Sequence, residues 1–396
     1  HLERVAAIKN NTFNKKQFYD AATKNLESLE LKQRAQQITQ ALFQQFPVAT
    51  QQEYERVVEL LLATLRSVND NEDLTLITTD DLGIAGWMVM PWSDFICRAA
   101  VEDLSADSPT NNQVDQARLS LALQAVKELT KRFTAEFAVR FLLLADHATS
   151  LKVLANWTTD PCHHVRRLVS EGTRPKLPWA MQLPRFIEEP ELVLPILDKL
   201  KFDESEYVRR SVANHLNDIS KDHPQRVVDV LQEWLAQAQS SGTKPQRHHM
   251  HRLVKHAGRT LIKQGDGAML AIIGYKPLPK DARVSLKVDN QTVDMGQTMS
   301  LDLTVHVPML PASTTHSSDF PVLVDYCIYH LRGRGQHIKK VFKWKQLDVK
   351  PGERIGLQKA HTFKPINTRR YYTGEHFVSV IINGVEQPRL SFYLNA

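Results

Sequence analysis

A mainly α chain, in which a solenoid of stacked helix pairs runs into an all-β sandwich, is the fold this sequence predicts. Three features predict it. One helical phrase recurs: Asp160–Glu171 (DPCHHVRRLVSE) aligns without a gap with Asp203–Asn214 (DESEYVRRSVAN), 43 residues further on. A weaker copy passes through Met250–His256 and an earlier, fainter one through Arg132–Glu136. Beyond Pro277 and Pro279 the apolar period changes to two. A step of roughly 40–47 residues is that of HEAT or armadillo helix pairs. Such pairs cannot bury their faces singly, so they stack, and equivalent helices line one surface.

The N-terminal stretch 13–66 reads as helices with polar outer faces, as in Leu31–Phe46 and Gln51–Leu65. Segment 67–83 is acidic and turn-rich and reads as a loop. Ile84–Val101 carries Trp87, Met88, Met90, Trp92 and Phe95 and reads as an apolar helix pair. One long helical pattern, Asp115–Leu144, leads into repeats that continue to about Gly274. Within a repeat, Val165, Leu168 and Val169 form the buried stripe of an amphipathic helix. Asp160 followed by Pro161 reads as a cap and first-turn proline. Asp203 with Glu206 reads as a capping box. Gly172 and Pro175 end the helix between them. Trp157 and Trp234 are expected to pack between helices.

After the linker, Val284–Val288, Ser300–Val307, Val322–Leu331, Lys339–Leu347, Arg354–Phe363, Glu375–Ile382 and Arg389–Leu394 are strand candidates. Seven short strands between turn signals indicate a sandwich of the immunoglobulin-like kind. With Cys327 the sole cysteine of this region, an intersheet disulfide is impossible. The expected architecture is therefore a HEAT-like helical-repeat solenoid over residues 1–276, a linker at 277–282, and a C-terminal all-β immunoglobulin-like sandwich over 283–396.

At 396 residues and 42% hydrophobic composition, the chain has material for two cores. A net charge of +6 and a pI near 9.0 favour an anionic partner. The scattered cysteines Cys97, Cys162 and Cys327 suggest a reducing compartment with neither a disulfide framework nor a zinc ribbon. No apolar run approaches a membrane span, and no secretory signal is visible. The chain opens at His1, so its start is either trimmed or missing. The cluster His248, His249, His251 and His256 does not match a structural zinc pattern, and no metal is expected. Without a P-loop, a dinucleotide glycine motif or a nucleophile elbow, no cofactor is expected either.

Charge recurs in phase with the repeat. Arg132, Arg167, Arg210 and Arg252 are each followed four residues later by a polar group: Glu136, Glu171, Asn214 and His256. Taken singly, such a pair is an ordinary helix-surface contact of about 0.2–0.5 kcal/mol. Four in phase build a strip of guanidinium groups, widened by Arg166, Arg174, Lys176, Arg209, Lys255, Arg259 and Lys263. Forked guanidinium hydrogen bonds suit a phosphate backbone. The β region has a basic hairpin of its own, with Arg332, Arg334, His337, Lys339, Lys340, Lys343 and Lys345, and a second loop where Arg369 and Arg370 precede Tyr371 and Tyr372. Lysines also protect exposed strand edges, but the basic, loop-like Arg332-Gly333-Arg334-Gly335 favours DNA contact.

The densest stretch, Val165–Ala180 (VRRLVSEGTRPKLPWA), together with Tyr207–Ile219 (YVRRSVANHLNDI) and Arg132–Phe137 (RFTAEF), resembles the AlkC branch of the bacterial DNA alkylation repair glycosylases. The resemblance covers about residues 10–275, and the β region resembles the immunoglobulin-like extension of some AlkC members. It implies a monofunctional DNA glycosylase that removes cationic N3-methylated bases, chiefly 3-methyladenine and also 3-methylcytosine, from double-stranded DNA without flipping the base. It also implies a monomer in the bacterial cytoplasm, at the nucleoid when bound to DNA. By their match to the family motifs, Glu171 and Glu136 are assigned to stabilising a cationic sugar and orienting water, with Asp218 in support. Trp179 would add cation–π stabilisation; its alternative is a core tryptophan at a repeat boundary. Removing Glu171 is then expected to cost rate more than DNA affinity, and removing Arg167 or Arg174 the reverse. The alternatives in other classes are a non-catalytic nucleic-acid binder and a protein scaffold. The carboxylates count against the first and the arginines against the second.

Overall fold

The computed structural model describes residues 1–8, 13–68, 78–101, 114–309, 319–365 and 370–396. Arg369, expected in a basic loop, and most of the acidic loop 67–83 lie outside these residues. The helices are α1 (Leu2–Ile8), α2 (Lys15–Thr23), α3 (Leu31–Gln45), α4 (Gln51–Ala63), α5 (Val89–Val101), α6 (Gln116–Thr130), α7 (Val139–Ala145), α8 (His147–Asn156), α9 (His163–Gly172), α10 (Pro184–Glu188), α11 (Leu194–Leu200), α12 (Glu206–Ile219), α13 (Pro224–Ser241), α14 (Lys244–Ala257), α15 (Arg259–Gln264) and α16 (Gly267–Ile272). Among the described residues none is long and apolar enough to cross a membrane.

The chain divides into two compact units, His1–His223 with Thr243–Ala257, and Pro224–Gly242 with Gly258–Ala396. In the first, α12 packs between α9 and α14, so equivalent helices of successive repeats lie side by side. Val165, Leu168 and Val169 of α9 and Val208, Val212 and Leu216 of α12 are fully buried, as the helical period requires. Gly172 closes α9 where a Cβ would stand 2.6 Å from Cγ1 of Val139, so glycine permits the close approach of α7. Trp157 is buried here, and Trp234 is buried in α13 of the second unit.

Several local expectations change. Ile84–Val101 is one helix, α5, preceded by a 3-10 turn at Gly86–Met88, because Gly86 takes a left-handed φ of 61°. The pattern Asp115–Leu144 is broken at 131–138 into α6 and α7. The Arg132–Glu136 copy therefore does not form a helical pair. Arg132 instead binds Glu128 at 3.1 Å and the carbonyl of Arg66 at 2.9 Å. The helix starts also differ. Asp160 and Asp203 do not cap; each sits two residues ahead of the N-cap and accepts the backbone N–H of Cys162 (2.9 Å) or Ser205 (2.8 Å).

The second unit holds α13, α15, α16 and the strands β1 (Arg283–Val288), β2 (Thr292–Asp294), β3 (Thr298–His306), β4 (Phe320–Leu331), β5 (His337–Val349), β6 (Arg354–Thr362), β7 (Gly374–Ile382), β8 (Val385–Glu386) and β9 (Leu390–Asn395). One sheet has the order β1-β3-β6; the other runs β2-β9-β7-β4-β5, with β8 beside β7. All pairings are antiparallel except β2 with β9. Alternate residues Met299, Leu301, Leu303 and Val305 of β3 share a core with Tyr326, Ile328, Val378, Val380 and Phe392. This is the immunoglobulin-like sandwich, and every expected strand is present. The short β2 and β8 carry too few residues to show a period of two.

Candidate active site

The repeat first places its arginines, and it does so in two ways. Arg166 and Arg209, equivalent in the alignment, are both turned inward. Arg166 forks onto Asp203 at 2.6 and 3.0 Å and donates to the carbonyls of Asp160 (2.8 Å) and Pro161 (3.0 Å). Arg209 likewise donates to the carbonyls of Asp203 and Glu204. The geometry corrects the expectation that Arg166 and Arg209 meet DNA, since both guanidinium groups are occupied inside the protein. The next residue in each copy points the other way. Arg167 lies across the face of Tyr207, 4.7 Å from the ring centroid, and Arg210 is exposed.

Arg167 gathers the carboxylates. Its Nη1 donates to Oε2 of Glu136 at 2.5 Å and to the Thr134 hydroxyl at 2.8 Å, while Nη2 lies 3.6 Å from Oε1 of Glu171. Thr134 donates in turn to Glu136 at 2.5 Å. Glu136 thus reaches the site from the irregular segment between α6 and α7, rather than from a helix face.

Glu171 is the penultimate residue of α9. Its Oε1 accepts Nη1 of Arg174 at 2.6 Å and its Oε2 accepts the Ser211 hydroxyl at 2.6 Å. Arg174 also donates from Nε to Asp218 at 2.8 Å, and Lys221 completes Asp218 at 2.9 Å. Burial works against the charge on Arg174, but Glu171 and Asp218 outweigh it and hold the guanidinium above its usual value. The same balance, with Glu136 and Glu171, raises Arg167. One connected network, Glu136–Arg167–Glu171–Arg174–Asp218, therefore unites all three expected carboxylates. Arg174 faces inward and holds two carboxylates, so its loss is expected to cost stability and rate rather than chiefly DNA affinity.

Trp179 follows on the loop after α9. It is 82% exposed, with a left-handed φ of 64°, and is therefore not the core tryptophan of the alternative reading. Lys32 donates to its carbonyl at 2.8 Å. The residue that fixes this loop is Arg140 of α7, which the sequence reading did not single out. Its guanidinium is fully buried and donates to the carbonyls of Met181 (2.6 Å), Gly172 (3.0 Å), Arg174 (2.7 Å) and Pro175 (3.4 Å). Burial, then the nearby Arg174, lowers its pKa to about 10. A charged residue inside the apolar run Val-Arg-Phe-Leu-Leu-Leu-Ala was the available signal.

The remaining basic candidates divide. Lys176 pairs with Asp222 at 2.6 Å. Arg252 forks onto Glu206 at 2.6 and 3.2 Å while about half exposed. Lys255 is exposed on α14; Arg259, in the second unit, is also exposed. Arg334 is exposed in the β4–β5 turn at a left-handed φ of 72°, beside the half-buried Arg332. Among the described residues no group of three or more His, Cys, Asp or Glu is arranged to hold a metal ion.

Residues 93–261 match the family described as DNA alkylation repair enzyme, and residues 282–396 match the C-terminal Ig-like domain of the uncharacterised protein YhaZ. The uncharacterised YhaZ of Bacillus subtilis (strain 168) is 38% identical over 271 residues, spanning 68% of this chain and 71% of the relative. Among solved structures, the Pseudomonas fluorescens alkylpurine DNA glycosylase AlkC, bound to DNA containing an abasic site analog, aligns with a TM-score of 0.72 and 28% identity, covering 100% of this chain and 98% of that one. Repeats, sandwich and comparisons agree: the chain belongs to the DNA alkylation repair enzyme family, in the AlkC branch that carries an immunoglobulin-like C-terminal domain.

Proposed function

We propose that the protein is a monofunctional DNA glycosylase that hydrolyses the N-glycosidic bond of cationic N3-methylated bases, 3-methyladenine and 3-methylcytosine, in double-stranded DNA without flipping the base. The observation that carries this reading is the Arg167 bridge, which brings Glu136 and Glu171 to one place from separate elements. A methylated base already bears positive charge and departs readily. As the C1′–N bond breaks, its electron pair returns to the base and neutralises it, and positive charge builds on the sugar. Fixed carboxylates that stabilise this charge require no reorganisation at the moment of reaction, which is where the largest catalytic gains arise. A water oxygen then bonds to C1′, and its proton passes to Glu171 or Glu136. Asp218 acts through Arg174, and the exposed ring of Trp179 faces the cationic sugar or base.

Duplex DNA is gripped by the outward arginines Arg210 and Arg252 with Lys255, and in the second unit by Arg259, Arg332 and Arg334 with the alternate residues His337, Lys339 and Lys343 of β5. The protein acts as a monomer in the bacterial cytoplasm.

The test is single-turnover release of 3-methyladenine from methylated duplex DNA, read by chromatography. Glu171→Gln and Glu136→Gln should each slow release by about 10²-fold or more, a typical loss for one preorganised electrostatic group, with DNA affinity changed little. Salt-sensitive DNA binding by the unaltered protein with no base release would leave a non-catalytic binder instead.

A further inference from the structure

Beside the carboxylate network lies a cavity of about 540 Å³, in the size range of small-ligand clefts, with Trp87, Phe133, Thr134, His164 and Tyr207 in its wall. Two of these residues also belong to the network: Thr134 binds Glu136, and Tyr207 carries Arg167 on its ring face. The other end is an aromatic shelf. Trp87 packs against Phe133 with ring centroids 4.7 Å apart, yet remains 56% exposed. Its backbone is tied down, since Gly86 N–H donates to the carbonyl of Arg132 at 3.2 Å. The Thr79 hydroxyl also bonds both the N–H and the carbonyl of Ala85, at 3.1 and 2.8 Å. A tryptophan held rigidly with its ring in solvent is a surface built for a flat partner.

We propose that this cavity receives the methylated base after the glycosidic bond has broken, an inference that rests on the glycosylase reading above. Continuity locates the occupant, because a base leaving the sugar beside Glu136 meets Thr134 first and the Trp87–Phe133 shelf next. Charge argues against a phosphate in the same place. The adjacent cations Lys131 and Arg132 are both drawn to Glu128, at 2.7 and 3.1 Å. Aromatic faces stack on any base without needing a particular hydrogen-bond pattern, which suits a site that must pass both a purine and a pyrimidine.

The experiment is equilibrium dialysis of the full chain against free 3-methyladenine, alongside base-release assays. Saturable one-to-one binding is expected. Trp87→Ala should weaken it at least tenfold, about 1.4 kcal/mol, and Glu171→Gln should leave it within twofold. Phe133→Leu, which keeps an apolar residue under the shelf, should weaken binding by a smaller factor. Trp87→Ala should keep the single-turnover rate within twofold but abolish inhibition of multiple turnover by added base. A protein that releases 3-methyladenine from DNA yet fails to bind the free base, or binds it equally well without Trp87, overturns the cavity assignment alone. A protein that releases no base overturns the glycosylase reading on which it rests.

Discussion

Arg174 and Asp218 are joined Nε to Oδ2 at 2.8 Å across 44 residues of sequence, and neither side chain is more than 8% exposed. The bond locks the end of α9 onto the middle of the next repeat. Removing one member of a buried ion pair leaves the other charge uncompensated, at a cost of about 3–5 kcal/mol. Arg174→Ala is therefore expected to lower unfolding free energy by about that amount in urea denaturation, and base release with it. Arg210→Ala, on the exposed side of the same surface, should stay within about 0.5 kcal/mol. Equal stability losses would mean that the Arg174 network is not a lock.

Arg140 acts on the same loop from beneath. Its guanidinium holds four carbonyls between Gly172 and Met181, so it sets where both Glu171 and Trp179 stand. Lysine, with a compact ammonium in place of a planar fork, cannot reach this set of acceptors. Arg140→Lys is expected to free the loop, with tryptic cleavage after Lys176 at least tenfold faster and kcat reduced more than DNA affinity. A variant with wild-type proteolysis and kcat would show that the loop holds its shape unaided.

His215 gives the first unit a pH dependence. The imidazole is fully buried on α12, donates from Nδ1 to the carbonyl of Ser170 at 3.0 Å, and is lowered by burial from 6.5 to about 3. Between those values the unfolded chain binds a proton that the folded chain refuses. Stability then falls as pH drops below about 6.5, by at most about 1.4 kcal/mol per unit, and is unaffected by this group above it. Urea midpoints measured from pH 7.5 to 4.5 should decline less steeply in His215→Gln than in the unaltered protein. Parallel profiles would assign the acid loss to other groups.

What the sequence revealed and what it hid follow from the same physics. Period survives in sequence when many residues share one environment, so the Asp160–Glu171 and Asp203–Asn214 copies and the long strands were legible. The function of a single side chain depends on its direction, which periodicity does not encode. Arg166 and Arg167 are neighbours of one residue type, yet one holds a turn and the other bridges two carboxylates. Glu136 joins the Arg167 network, but its place comes from a break in the helix rather than from the repeat-equivalent face that the sequence suggests. Arg140 was missed because charge on an apolar helix names no partner until the chain has folded around it.

Trp179 combines exposure with backbone strain, and the two are separable by mutation. A left-handed φ costs an L-residue roughly 1–2 kcal/mol relative to its ordinary backbone conformation, and glycine escapes that cost. At φ 64° and 82% exposure the indole gains little burial to offset it. Trp179→Gly should therefore be about 1 kcal/mol more stable than Trp179→Ala in thermal or urea unfolding, after allowing for the greater chain entropy of glycine. Both variants should lose base release to a similar degree, because both lack the ring. If the glycine variant retained full activity, the strained loop would be serving something other than the tryptophan, and Trp179 would leave the candidate site.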